Sequence, residues 1–186
     1  MEKRIAVFLD RDGVVTEAIL REYPGKGMQH GAPFSLAEFK IFPDVVRAVI
    51  RVRDMGMLSI VATNQPDVTY GNLTREDFDE MMRRTRVLGF DDIFVCEHGR
   101  DEGCLCKKPK PGILHDAEKK WNIDLSRSYI IGDTKSDIGA GKAAGCKTIL
   151  IARPYNEADR ATADVVAASL AEALDWVEND RAVLNA

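Results

Sequence analysis

At 186 residues, with 45% apolar, 30% charged and 7% aromatic residues, the chain has the makeup of one compact domain, residues 1–186, with little room for a second. Lys and Arg number 26 against 30 Asp and Glu, and the net charge of -4 excludes a protein whose main task is to coat nucleic acid or an anionic membrane. No apolar run approaches the roughly 18–20 residues that span a bilayer, and the short run after Arg4 is too brief for a signal peptide, so a cytoplasmic monomer is expected.

Short apolar runs alternate with helical patterns, as in a parallel sheet covered by helices on both faces. The first strand is Ile5 to Leu9. Glu17 to Lys40 follows, rich in Gly, Pro and aromatic residues, and reads as an irregular loop on the substrate side, since loops beyond about 12–15 residues in a compact domain are usually functional. Pro43 opens a helix that carries Val45, Val46, Val49 and Ile50 inward, and Gly56 closes it. After a strand at Leu58 to Ala62, Thr74 caps a helix over Arg75 to Arg86, with Asp77 completing an approximate capping box. The remaining pattern is a strand at Asp92 to Val95, a helix at Pro111 to Trp121 and a strand at Tyr129 to Ile131. A helix at Asp137 to Ala144 ended by Gly145, strands at Thr148 to Ile151 and Asp164 to Val166, and a last helix capped by Ser169 with Glu172 complete it.

In an open parallel sheet, ligands bind beyond the carboxyl ends of the strands. Here those ends are polar: Asp10-Arg11-Asp12-Gly13 after the first strand, Thr63-Asn64-Gln65 after the second, and Gly132-Asp133 after the fourth. Lys108 follows the third strand through a cysteine-rich loop. Asp10 and Asp133 supply the one or two carboxylates that usually hold Mg²⁺. Phosphoryl transfer spreads negative charge over three oxygens, and a metal, a lysine, a threonine hydroxyl and backbone donors after Asp10 suit that charge. Asp10 is then the candidate nucleophile, and Asp12 the acid that protonates the leaving oxygen and later activates water.

Asp10-Arg11-Asp12-Gly13, Thr63-Asn64-Gln65, Lys108-Pro109-x-Pro111-Gly112 and Gly132-Asp133-x-x-x-Asp137 resemble the four ordered motifs of the haloacid dehalogenase superfamily of phosphohydrolases. Cys96-x-His98 and Cys104-x-Cys106 just before the third motif are similar to its zinc-loop subfamily, which acts on heptose bisphosphate and histidinol phosphate. The resemblance implies an α/β, three-layer Rossmann-like fold with a central parallel sheet, no cap domain and a zinc-stapled loop. It implies catalysis by Asp10 and Asp12, and phosphate or substrate binding by Arg11, Gly13, Thr63, Asn64, Gln65, Lys107 and Lys108. The resemblance further implies Mg²⁺ held by Asp10, the Asp12 carbonyl and Asp133, with Asp137 in support. Lys107 stands where arginine is more usual, Pro66-Asp67 replace Ser-Gly, Thr134 stands where lysine is common, and five residues join His98 to Cys104. These departures surround the substrate rather than the nucleophile. The expected substrate is a small phosphorylated metabolite, D-glycero-D-manno-heptose 1,7-bisphosphate before histidinol phosphate or another sugar phosphate.

Cys96, His98, Cys104 and Cys106 form the expected zinc site. Residues i and i+2 of an extended segment point the same way, so each pair can aim two ligands at one point. Three thiolates and one imidazole leave no position for water, as in a structural rather than a hydrolytic site. Cys146 and Lys110 carry no assigned role. Gly139-Ala140-Gly141-Lys142-Ala143-Ala144 fits a dinucleotide fingerprint only in letters, because it lies inside a helix instead of leaving a strand. Two other classes compete. A phospho-accepting signalling domain has no use for Asp12 or the zinc loop, and a zinc-dependent nucleic-acid module conflicts with the net charge.

Overall fold

A computed structural model of the chain describes residues 2–23, 25 and 27–184. Among the described residues, eight strands and five α-helices run in the order β1 (Ala6–Leu9), β2 (Ile19–Tyr23), β3 (Gly27–Gly31), α1 (Val45–Asp54), β4 (Leu58–Asn64), α2 (Arg75–Arg86), β5 (Asp92–Cys96), α3 (Gly112–Trp121), β6 (Tyr129–Gly132), α4 (Lys135–Ala144), β7 (Lys147–Ile151), β8 (Val165–Ala167) and α5 (Leu170–Leu184). Six strands form a parallel sheet in the order β5-β4-β1-β6-β7-β8, and β2 pairs with β3 in a separate antiparallel hairpin.

The apolar runs become strands because both faces of the sheet are covered. Val7, Leu9, Ile131 and Ile149 face α1 and α5, whereas Ala6, Phe8, Ile60 and Ile130 face α3 and α4. Every residue of β1 and of β6 is buried, so neither strand shows polar alternation. The α1 face differs from expectation. Val45, Ala48, Val49 and Val52 point inward and Val46 and Ile50 are half-exposed, because spacings of three and four residues, not one, share a helix face.

Beyond β1 the chain winds tightly, with the Val15 and Thr16 amides donating to the Arg11 carbonyl, each at 2.8 Å. The segment expected to be an irregular loop contains the β2–β3 hairpin. A two-stranded ribbon is marginal alone. This one is tied down by Arg21, which donates to Glu38 at 2.6 Å and lies over the Phe34 ring, while Glu38 also accepts from the Phe34 amide. No helix among the described residues is long and apolar enough to cross a membrane.

Candidate active site

Central β1 has β4 on one side and β6 on the other, so the chain leaves it in opposite directions and opens a crevice at the carboxyl ends. Asp10, Asp12, Asn64, Lys108 and Asp133 line a cavity of about 950 Å³ there. The hairpin walls one side through Tyr23, Met28 and His30, and Arg100 and Asp101 of the cysteine loop lie at another.

Lys108 is buried, and all three of its ammonium donors are used: Asp10 at 2.9 Å, the Ala62 carbonyl at 2.7 Å, and Asp137. Burial pushes its pKa down, but Asp10 and Asp137 outweigh burial and hold it above the ordinary value. Asp10 is raised to about 6 by burial and then by Asp137, and Lys108 only partly offsets this. Asp133 is raised for the same reasons, burial first, then Asp137 and Asp10. Asn64 fixes the lysine's backbone on both sides, accepting from the Lys108 amide at 3.0 Å and donating to its carbonyl at 3.1 Å.

Replacing Lys108 with methionine leaves buried carboxylates without their cation, which typically costs about 3–5 kcal/mol. Urea unfolding without added divalent ions should show that loss at pH 7.5. The loss should shrink below pH 6, where the carboxylates take up protons. Equal stability of variant and wild type at both values would rule out this ion-pair arrangement.

Asp12 accepts from the Arg11 guanidinium through both oxygens, each at 3.0 Å, from Thr16 at 2.9 Å and from Gln65 at 2.6 Å. Gln65 also donates to the Thr63 hydroxyl at 2.9 Å and accepts from Arg11 at 2.7 Å. The Thr63 proton is left free to donate. Arg11 is fully buried in this network and does not line the cavity, and its amide donates to Asp10 at 2.7 Å. Gly13 has φ +91°, and a Cβ there would lie 2.0 Å from an Asp133 oxygen. No other residue fits.

Carboxylate oxygens of Asp10, Asp133 and Asp137 lie within 4.8 Å of one another. Asp133 Oδ1 is buried with no hydrogen-bond partner. A buried carboxylate oxygen is normally paired, and Asp10 and Asp133 are raised by burial and then by neighbouring carboxylates, a repulsion that a cation between them would offset. The residues therefore fit a hard divalent ion. Asp137 is the least available to it, since its oxygens already serve Lys108 and the Thr134 amide and hydroxyl.

Ligand atoms of Cys96, His98, Cys104 and Cys106 also converge within 4.8 Å. Cys96 Sγ is 3.7 Å from Cys104 Sγ and 3.2 Å from Cys106 Sγ, and His98 Nδ1 is 3.6 Å from Cys96 Sγ. A tetrahedron with metal–sulfur bonds of about 2.3 Å has edges of about 3.8 Å, close to these spacings, so the cluster suits a metal such as zinc. All four cysteines are free of disulfides. Burial and the neighbouring Cys96 and Cys104 push the Cys106 thiol up to about 12 when no ion is there to hold the thiolate.

The three lysines of this loop part ways. Lys107 donates to the His98 carbonyl at 2.8 Å and lies outside the cavity lining, while Lys110 donates to the Cys104 carbonyl at 2.8 Å. Arg100 and Lys135 line the cavity instead. Sequence reasoning missed them, together with Arg153, Tyr155 and Asn156 beyond β7. The strand-end rule applied to β7 could have found the last three.

Comparison with known proteins agrees with this chemistry. A HAD-hydrolase-like family signature matches residues 105–173. The D-glycero-beta-D-manno-heptose-1,7-bisphosphate 7-phosphatase of Yersinia pestis is 32% identical over 183 residues, covering 90% of this chain and 92% of that protein. The enzyme of the same name from Vibrio cholerae is 32% identical over 181 residues, covering 89% and 91%. The crystal structure of D,D-heptose 1,7-bisphosphate phosphatase from B. bronchiseptica, complexed with magnesium and phosphate, matches with a TM-score of 0.78 at 25% identity, covering 95% of this chain and 99% of that one. Such identity along nine tenths of the chain, joined to an aspartate, lysine and threonine at one sheet edge, shows that the protein belongs to the haloacid dehalogenase-like hydrolases, as a phosphoric monoester hydrolase.

Proposed function

We propose that the protein is a magnesium-dependent sugar-bisphosphate phosphatase whose substrate is D-glycero-D-manno-heptose 1,7-bisphosphate. The observation that carries this reading is the meeting of Asp10, Lys108 and the unpartnered Asp133 oxygen at the floor of the cavity. The names of the relatives supply the sugar.

An Asp10 carboxylate oxygen attacks phosphorus, forming an aspartyl phosphate as the ester P–O bond breaks, and the departing alkoxide takes a proton from Asp12. Asp12 then removes a proton from water, which attacks the same phosphorus, releases phosphate and restores the Asp10 carboxylate. Taking up a proton entails giving up one of the four donors that Asp12 now accepts. As Asp10 loses its charge by phosphorylation, the Lys108 donor that served it turns to a phosphoryl oxygen. Thr63 and Asn64 complete the phosphate seat, while Gln65 and the Arg11 and Gly13 amides, which already donate to Asp12 and Thr63, to Asp10 and to the Thr16 carbonyl, hold it in shape. Mg²⁺ held by Asp10, Asp133 and the Asp12 carbonyl, with Asp137 behind them, would neutralise the phosphoryl charge.

Arg100 and Lys135 face the far end of the substrate. Lys107 acts there only if it leaves the His98 carbonyl. Zn²⁺ at the cysteine loop is structural, and a cytoplasmic setting that keeps thiols reduced suits it. Residues 1–186 act as one catalytic unit, a monomer without a cap, shielded by the hairpin and the cysteine loop. Asp67, Asp101 and Asp159 also line the cavity, and they favour histidinol phosphate, with its ammonium, as a second reading.

A phosphate-release assay with Mg²⁺ over the heptose bisphosphate, sugar monophosphates and histidinol phosphate tests both. The bisphosphate is expected to give a kcat/KM at least about tenfold above the rest, a difference of about 1.4 kcal/mol in transition-state binding. A preference for histidinol phosphate would replace the first reading with the second.

A further inference from the structure

The four motifs account for the ends of β1, β4 and β6 and for the loop after β5, but not for the end of β7. There the chain turns back across the site. Asn156 donates to the Ile151 carbonyl at 2.8 Å and to the Asp133 carbonyl at 2.7 Å, and accepts from the Arg153 amide at 2.9 Å. Arg153 donates twice to the Gly13 carbonyl, at 3.1 and 2.7 Å, with its guanidinium over the Phe42 ring. The turn is thus clamped to both loops that carry the metal-site carboxylates.

Tyr155 sits between these clamps. Its ring stacks on His30 of the hairpin, with centroids 4.0 Å apart and planes 23° from parallel, and its hydroxyl donates to Asp133 Oδ2 at 2.5 Å. A Cβ on Gly13 would come within 2.8 Å of that hydroxyl, so the hydroxyl lies directly against the Gly13 turn. Asp133 therefore has one oxygen held by a phenol and the other buried with no partner. A carboxylate free to rotate about its last bond presents either oxygen. With Tyr155 in place it presents Oδ1. Hydrogen bonds to the outer oxygen of a ligating carboxylate orient it, and losing one commonly costs ten- to a hundredfold in metal affinity or activity.

We propose that Tyr155 is a positioning residue of this phosphatase: its phenol sets the Asp133 carboxylate so that Oδ1 faces the divalent cation. The inference rests on the reading that the cation sits between Asp10 and Asp133. Tyr155→Phe keeps the ring, the stacking on His30 and the packing, and removes only the donor. Binding of Mn²⁺ to the full chain, followed by the electron paramagnetic resonance of the free ion, should show about a tenfold weaker site in Tyr155→Phe. The thermal midpoint should stay close to wild type, and turnover should recover as Mg²⁺ is raised, with KM unchanged at saturating metal. Mn²⁺ affinity within twofold of wild type, or a loss of turnover that excess Mg²⁺ does not restore, would overturn the proposal. Asp133→Asn locates the measured ion: unchanged affinity in that variant would place the ion elsewhere and also defeat it. A wild-type protein that turns over without binding Mn²⁺ or needing Mg²⁺ would sink the metal reading itself, and the role of Tyr155 with it.

Discussion

Replacing Asp10 with asparagine is expected to bring phosphate release below about 1% of wild type, a loss of more than about 2.7 kcal/mol in transition-state stabilisation. The fold should survive. Burial and Asp137 already raise the Asp10 pKa to about 6, so the site resists the charge that the substitution removes. Asparagine matches aspartate in shape, and its amide oxygen can still accept from Lys108, which stands 2.9 Å from the carboxylate. A neutral amide, by contrast, is a very poor nucleophile toward phosphorus. Steady-state phosphate release and an acid-quenched burst of protein-bound phosphate check the two halves of the claim. The wild-type protein should show the burst and the variant should not, at closely similar thermal midpoints. Turnover retained above about 1% by a folded variant would remove Asp10 from the nucleophile's role, whatever the fate of the metal site.

That nucleophile was legible in the sequence because burial on both faces makes β1 an unbroken apolar run, and the first polar residue after it must lie at the rim. The same logic exposed Thr63 and Asp133. It worked for the cysteine loop because ligand spacing is a local property. What stayed hidden depends on chain segments meeting from a distance. The hairpin's β2, Ile-Leu-Arg-Glu-Tyr, has no fully buried position, so it gives no apolar signal, and its anchor is Glu38, seventeen residues from Arg21. Tyr155 touches an aspartate 22 residues away. Lys107 looked like a substrate contact because it adjoins Lys108, yet adjacent residues in an irregular loop diverge, and its ammonium found the His98 carbonyl. At α4 the helix begins at Lys135, two residues before Asp137. Thr134 and Asp137 close a capping box, which makes the aspartate the third helical residue instead of the first.

Metal analysis is expected to find one zinc per chain, absent from Cys104→Ser, and the consequence should be local rather than global. A structural zinc of this type contributes on the order of 10 kcal/mol to the folding of the segment that holds it. The other links between the cysteine loop and the body are a handful of hydrogen bonds, from Asn64 to the Lys108 backbone, from Thr69 and Arg75 to Glu97, and from the Gly112 amide to the Leu105 carbonyl, each worth about 1 kcal/mol net. Zinc therefore dominates the loop's order. Lys108 itself has stronger anchors, the buried contacts to Asp10, Asp137 and Ala62. Loss of zinc should then raise amide hydrogen exchange across 97–107, with the sheet still protected. With Mg²⁺ in excess, KM should rise several-fold through misplaced Arg100 while kcat, which depends on Lys108, falls less. Because burial raises both Cys96 and Cys106, the two thiols left in the emptied Cys104→Ser cluster are neutral, and nothing electrostatic replaces the ion. Full exchange protection of 97–107 in the zinc-free variant would mean that hydrogen bonds alone order the loop, and the staple would lose its purpose.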